Sequence, residues 1–213
     1  MGKIKQGILG GFSGTVGTVI GGNWKGVDYM RGKAASYSDK QSASQLAHRA
    51  KFSLMSKFLA PLSAYLQVTF AKVALKKTGI NAAFSYNIAN AITGTYPAYE
   101  VDYSKLLVAQ GTLPGALNPE VTSTTAGEIK YTWEDNSTDT NASATDKATL
   151  LVYNPVRNKA VTVVGGNTRT GGSQSITLPA NFSGDEVQCF IAFQKETQST
   201  FSNSEYVGGI IVL

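Results

Sequence analysis

The chain has one cysteine, one histidine, few charges and no long apolar run. A lone Cys189 rules out an intrachain disulfide. It lies in the apolar run Val187-Gln188-Cys189-Phe190-Ile191 and reads as a small buried hydrophobe. A lone His48 removes any histidine-cluster metal site and any serine–histidine triad not built on His48 itself. No segment reaches 18 consecutive apolar residues, so no membrane-spanning helix is expected. The start, Met1-Gly2-Lys3-Ile4-Lys5-Gln6, imitates the basic end of a signal peptide. The stretch after it is too glycine-rich for a hydrophobic region, no small-x-small site follows, and Gln6 argues against myristoylation. No export signal is expected, which leaves a cytoplasmic, virion-associated or non-classically exported location open.

Charged residues make up only 15% of the 213, against 42% hydrophobic, yet the chain is too rich in aromatic and β-branched residues to read as disordered. The net charge of +5 is split unevenly. Residues 1–110 hold 13 Lys/Arg against 4 Asp/Glu, or +9, and residues 111–213 hold 6 against 10, or −4. Such a dipolar chain suits head-to-tail self-association, or a nucleic acid met by the basic half.

Motifs of catalysis are missing too. Gly17 and Gly22 have the spacing of a phosphate-cradling loop, but Asn23-Trp24 stands where Lys-Ser/Thr is needed. Gly11-Phe12-Ser13-Gly14 lacks the spacing of a nucleophile elbow. Glu134-Asp135, Asp139 and Asp146 lack the spacing and closing glutamate of a calcium loop and read as a solvated loop. No catalytic residue, cofactor or metal is assigned, and a non-enzymatic protein is expected.

What the chain does have is glycine at its start. Seven glycines alternate with apolar and small residues from Gly7 to Gly22, before Asn23-Trp24-Lys25-Gly26. A segment with so few side chains cannot hold itself in a strand without another surface to lie on. Residues 7–33 read as a hairpin with its turn at Gly21-Gly22-Asn23 and a second strand through Trp24, Val27, Tyr29 and Arg31. Helical spacing runs from Gln41 to about Lys77, capped by Ser38 or Asp39. Pro61 either breaks this run or sits in the first turn of a second helix. Thr78-Gly79 reads as its end, with Lys76 and Lys77 at the negative pole of the dipole. A further helix is expected over 80–92 and a strand over 105–109, with a boundary at Asn118-Pro119. Beyond it the pattern is all-β, with strands at 128–134, 148–154, 159–164, 174–178, 186–195 and 206–213 and a possible seventh near 119–123, the count of a small β-sandwich. The apolar tail Ile210-Ile211-Val212-Leu213 reads either as the last sandwich strand or as a strand donated to a neighbour.

Trp133, Leu151-Val152-Tyr153-Asn154, Ile176-Thr177-Leu178-Pro179 and Val187 through Phe193 give the second half a resemblance to fibronectin type III domains. The usual strand-F tyrosine is replaced by Val187 or Cys189, so the likeness extends to immunoglobulin-like sandwiches generally. Gly7-Ile8-Leu9-Gly10-Gly11-Phe12-Ser13-Gly14, Val16 to Val19, Trp24 to Arg31, Gln45 to Phe52 and Gly111 to Ala116 resemble an uncharacterised family of Bacteroidota bacteria and their mobile elements, nearly end to end. Gln45, Arg49 and Phe52, behind a glycine-rich opening, add a looser likeness to phage structural proteins.

The expected class is α+β. A basic module over 1–118, a glycine-rich β-hairpin plus helices, would precede an immunoglobulin-like sandwich over 119–213. The expected function is structural: self-association into a filament, tube or shell of phage-like or cell-surface type. Phe12, Val16, Val19, Trp24, Tyr29 and Arg31 would form the assembly interface. The sandwich would be free to bind a protein or glycan, and nucleic-acid binding by the basic half is the alternative.

Overall fold

The computed structural model describes residues 2–4, 10–24, 26–36, 39–74, 77–196 and 200–213. The chain divides into two compact units, Met1–Ser42 and Ala43–Leu213.

The smaller unit is one antiparallel sheet in the order β1 (Lys3–Ile4), β2 (Phe12–Val16), β3 (Val19–Trp24), β4 (Val27–Gly32). Its turns are not at Gly21-Gly22-Asn23. Those residues lie inside β3, opposite Met30, Tyr29 and Asp28. The chain reverses at Gly17 (φ +57°) and Gly26 (φ +89°), where only glycine adopts the left-handed backbone without cost. Gly21 serves close approach instead, because a Cβ there would meet the Phe12 carbonyl and ring. The glycine-rich opening before Gly10, like Lys25, Ser38 and Lys76, lies outside the described residues.

In the larger unit, helix is confined to mid-chain. α1 (Ala43–Leu59) leads through a 3-10 turn (Ala60–Leu62) into α2 (Ser63–Thr69), and α3 (Gly79–Asn90) follows. Pro61 opens the 3-10 turn, where its missing N–H leaves nothing unsatisfied. Thr78 does not end a helix. It caps α3, its hydroxyl accepting from the Asn81 N–H at 3.3 Å. Asp39 accepts from the Gln41 N–H, and α1 begins only at Ala43. A hairpin not foreseen, β5 (Ile92–Thr95) and β6 (Ala98–Val101), comes next. The expected strand at 105–109 does not form: Lys105 ends a 3-10 turn (Tyr103–Lys105), and 106–109 is an irregular strut. Asn87 both donates to and accepts from the Leu107 backbone, at 2.8 and 2.9 Å, and Val108 is held by the Thr69 and Ser204 hydroxyls.

Seven strands complete the unit: β7 (Leu117–Thr122), β8 (Glu128–Glu134), β9 (Lys147–Asn154), β10 (Lys159–Val163), β11 (Ser173–Thr177), β12 (Glu186–Gln194) and β13 (Glu205–Ile211). They form two antiparallel sheets, β10-β9-β12-β13 and β11-β8-β7. The apolar tail enters its own sheet, with Ile211 opposite Glu186 and Val212 buried.

Alternation along β9 and β12 sends side chains to both faces of the larger sheet. Leu150, Val152, Cys189, Ile191 and Phe193 join Ile129, Tyr131 and Trp133 of β8 in one core. Leu151, Tyr153 and Phe190 face the other way and pack with Met55, Phe58 and Leu59 of α1, Leu66 of α2 and Ala83 of α3. The helices therefore cover the outer face of the four-stranded sheet. This corrects the expected α+β division. Strand is the main regular structure, in four sheets among the described residues, and the helices belong to the same compact unit as the seven strands rather than to a separate N-terminal module ending at 118.

Arg169 fastens the loops at one end of this unit. Its side chain has no exposed surface. It pairs with Asp146 at 3.3 Å, donates to the Pro114 and Gly115 carbonyls at 3.0 and 2.9 Å and to Asn136 Oδ1 at 2.6 Å, and lies 3.9 Å from the centre of the Phe193 ring. Burial pulls the guanidinium below the usual arginine range, and the Asp146 charge opposes this. Trp133 closes the knot, its indole N–H donating to the Arg169 carbonyl at 2.7 Å.

Arg169→Met leaves Asp146 buried without its counter-charge and is expected to lower the unfolding free energy by about 3–5 kcal/mol in urea titrations. Adding Asp146→Leu recovers only part of this, because the Pro114 carbonyl and Asn136 Oδ1 lose their donor. Burial also raises the Cys189 thiol to about 11. A disulfide dye reagent at pH 8 is expected to leave native Cys189 untouched and to react with it fully in denaturant.

Candidate assembly surface

The register of the small sheet sets which side chains share a face. Ile4 lies opposite Phe12, Val16 opposite Val19, and Gly21 opposite Met30. These define one face, which carries Ile4, Phe12, Val16, Val19 and Met30. On the other face, Thr15 lies opposite Ile20, Ile20 opposite Arg31, Gly22 opposite Tyr29 and Trp24 opposite Val27. The six expected interface residues are thus divided. Phe12, Val16 and Val19 share one face, and Trp24, Tyr29 and Arg31 share the other.

Neither face is fully covered: the Phe12 ring and carbonyl lie over Gly21, while Val16, Val19 and Met30 on one face and Trp24, Val27 and Tyr29 on the other stay exposed. Among the described residues of this unit only Gly21 is buried. Trp24 is 69% exposed, Met30 72%, Val27 68% and Val16 58%. A lone sheet with no buried side chain has no core to offset the entropy of ordering it, and stable sheets pack at least one face. Exposed apolar groups gathered this way mark an interaction surface. The glycines contribute by letting neighbours lie flat. The Tyr29 ring rests over Gly22 and the Phe12 ring over Gly21. Polar contacts in the sheet are few and local. Asn23 donates to Asp28 at 2.7 Å and accepts from the Gly26 N–H at 3.0 Å.

Elsewhere the structure offers no comparable assembly of groups. Among the described residues no three His, Cys, Asp or Glu side chains stand close enough to hold a metal ion. The acidic loop is engaged internally: Asp135 accepts from the Ser137 N–H, Asp139 from Asn136, and Asp146 from Arg169 and the Ser143 N–H. His48 is exposed on α1. Tyr103 stacks with Tyr206 at 6.3 Å and meets Phe58 at 6.2 Å, and the Lys51 ammonium lies 5.0 Å from the Tyr99 ring centre. A groove of about 340 Å³ beside them is lined by Leu54, Phe58, Tyr99, Tyr103 and Tyr153 with Lys57 and Glu100 at its rim. No described helix is long and apolar enough to cross a membrane.

Sequence reasoning expected a single hairpin turning at Gly21-Gly22-Asn23 and so ran one strand through the Gly17-Thr18 turn that separates β2 from β3. The signal for it was Val16-Gly17-Thr18-Val19 and Trp24-Lys25-Gly26-Val27, each a glycine within two residues flanked by apolar partners. Gly21→Val is expected to drive its side chain into Phe12 and break the β2–β3 pairing. Protease cleavage within residues 10–33 should rise, while the urea transition of the larger unit keeps its midpoint.

A comparison with curated proteins returns no match. Residues 11–208 match a family of unknown function, and the match runs from the start of β2 into β13, across both compact units. The chain belongs to this family, DUF6266.

Proposed function

We propose that this protein is a non-enzymatic structural protein that self-associates into a homo-oligomer through the sheet of residues 1–42. The observation that carries the reading is that sheet's two apolar faces with no buried side chain between them. Covering them removes apolar surface from water at about 25 cal/mol per Å², a driving force the isolated unit lacks. A filament, tube or shell follows where the contact is head-to-tail, and a closed particle where symmetry closes it.

The reading extends to the larger unit. Its three-plus-four strand order supports a sandwich of the fibronectin type III or immunoglobulin-like kind. Presented on an assembly, such a sandwich suits capture of a protein or a glycan. The glycine-rich opening and the looser phage likeness support an origin in Bacteroidota or their mobile elements, with the assembly as a virion-like or surface structure.

Charge favours a second reading. Residues 1–42 hold six Lys/Arg against two Asp/Glu. Nucleic-acid binding by this unit predicts a gel shift whose affinity falls steeply with salt.

Light scattering with negative-stain microscopy, on the full chain and on a chain starting at Ala43, tests the main reading. Regular particles far above 22.5 kDa that vanish on truncation are expected. A monodisperse monomer in both cases, at 22.5 kDa for the full chain, overturns it.

A further inference from the structure

The small sheet has an open edge as well as two open faces. β4 is the end strand of the order β1-β2-β3-β4, and all six of its residues are exposed. The Lys33 N–H donates to the Thr18 carbonyl at 2.7 Å, which extends the β3–β4 register by one bonded pair. Antiparallel ladders alternate bonded and non-bonded pairs. Arg31, Tyr29 and Val27 therefore bond inward to β3, and Asp28, Met30 and Gly32 turn their N–H and C=O groups outward. Edges that must stay single are blunted by proline, bulges or lysine. β4 has no proline and no lysine, its pairing with β3 runs without a bulge, and the charges it does carry are Asp28 and Arg31.

We propose that β4 pairs antiparallel with β4 of a second copy across a two-fold axis normal to the sheet, with the two Met30 residues facing each other. This rests on the self-association reading and names its contact. Such an axis keeps each face continuous, so facing residues must both be even-numbered or both odd-numbered. Two registers give the longest overlap, centred on Tyr29 or on Met30. The first sets Arg31 against Val27 and Asp28 against Met30, a charge against an apolar group each time. The second sets Tyr29 against the second copy's Arg31, and the reverse, in non-bonded pairs where side chains come closest. A guanidinium over a tyrosine face is a favourable contact, made here twice by symmetry. It also sets small Gly32 against Asp28, and it joins the Met30 side chains on the face that carries Val19. The result is one continuous eight-stranded sheet with the outward bonds of Asp28, Met30 and Gly32 satisfied.

Met30→Cys in the full chain tests this directly. The other cysteine, Cys189, is buried and inert. Directly facing residues in a bonded antiparallel pair have Cα atoms about 5.5 Å apart, within disulfide range. Mild oxidation is expected to give a covalent dimer on non-reducing gels, and Val156→Cys, in the exposed turn between β9 and β10, is expected to give none. Met30→Pro removes an outward N–H and no bond to β3, so it should halve the mass seen by light scattering or reduce it further. A full chain that is oligomeric, yet cross-links no better through Met30→Cys than through Val156→Cys, overturns the edge contact and leaves self-association standing. A full chain that stays at 22.5 kDa overturns both, including the case in which β4 receives a strand from a different protein.

Discussion

Leu151 and Phe190 sit on the outer face of a sheet whose inner face already forms a core with β8. Left to water, their strands would expose a continuous apolar stripe. The two-sided burial of β9 and β12 is the constraint from which the larger unit is built. The three-stranded sheet answers it on one side and the helices on the other. A Leu or Phe removed from such a site costs about 2–5 kcal/mol, because both layers close around it. The helices have no other partner in this role. α2 is seven residues long and α3 twelve, lengths that are marginal in isolation. Sheet and helices thus hold each other, and neither half of this unit is a module by itself.

The strut at 106–109 and the Arg169 knot solve a different problem, the path of irregular chain through a packed interior. A buried segment without a strand partner must find hydrogen bonds elsewhere. Asn87, Thr69 and Ser204 supply them for the strut, and Arg169 supplies them for Pro114 and Gly115. The five donors of a guanidinium suit this, since one side chain reaches carbonyls from several loops at once. The arrangement places one charge at the centre of three loops, which is why its single counter-ion, Asp146, matters more than the pair's modest length of contact suggests.

Legibility in the sequence followed local physics. The strands from β8 to β13 announce themselves by alternation and by turns such as Asn154-Pro155 and Ser183-Gly184-Asp185, and their limits fall within a residue or two of those read. The helical layer's position was not local. Its signal was present in the unbroken apolar runs Leu150 to Tyr153 and Cys189 to Phe193, since strands covered on both faces lose their alternation. Reading these as a two-layer core placed the division at 118 instead of after Ser42. In the small sheet, Gly21-Gly22 looked like a turn because glycine pairs usually are, and their use as a floor for Phe12 and Tyr29 depends on the strands on either side. The candidate surface was legible as residues and illegible as faces, since one misplaced turn moves every side chain after it.

The order of the two units along the chain has a consequence for synthesis. β4 ends at Gly32, and the last strand of the larger unit begins only at Glu205. At about 5–20 residues per second, about 10–30 seconds of translation separate them. A ribosome therefore carries the whole sequence of the small sheet, with its apolar side chains in water, long before β12 and β13 exist. The nearest matching surfaces at that moment are the same sheets on nascent chains of the same message. An assembly of the proposed kind thus has its first encounters on the polysome, between siblings rather than between released proteins.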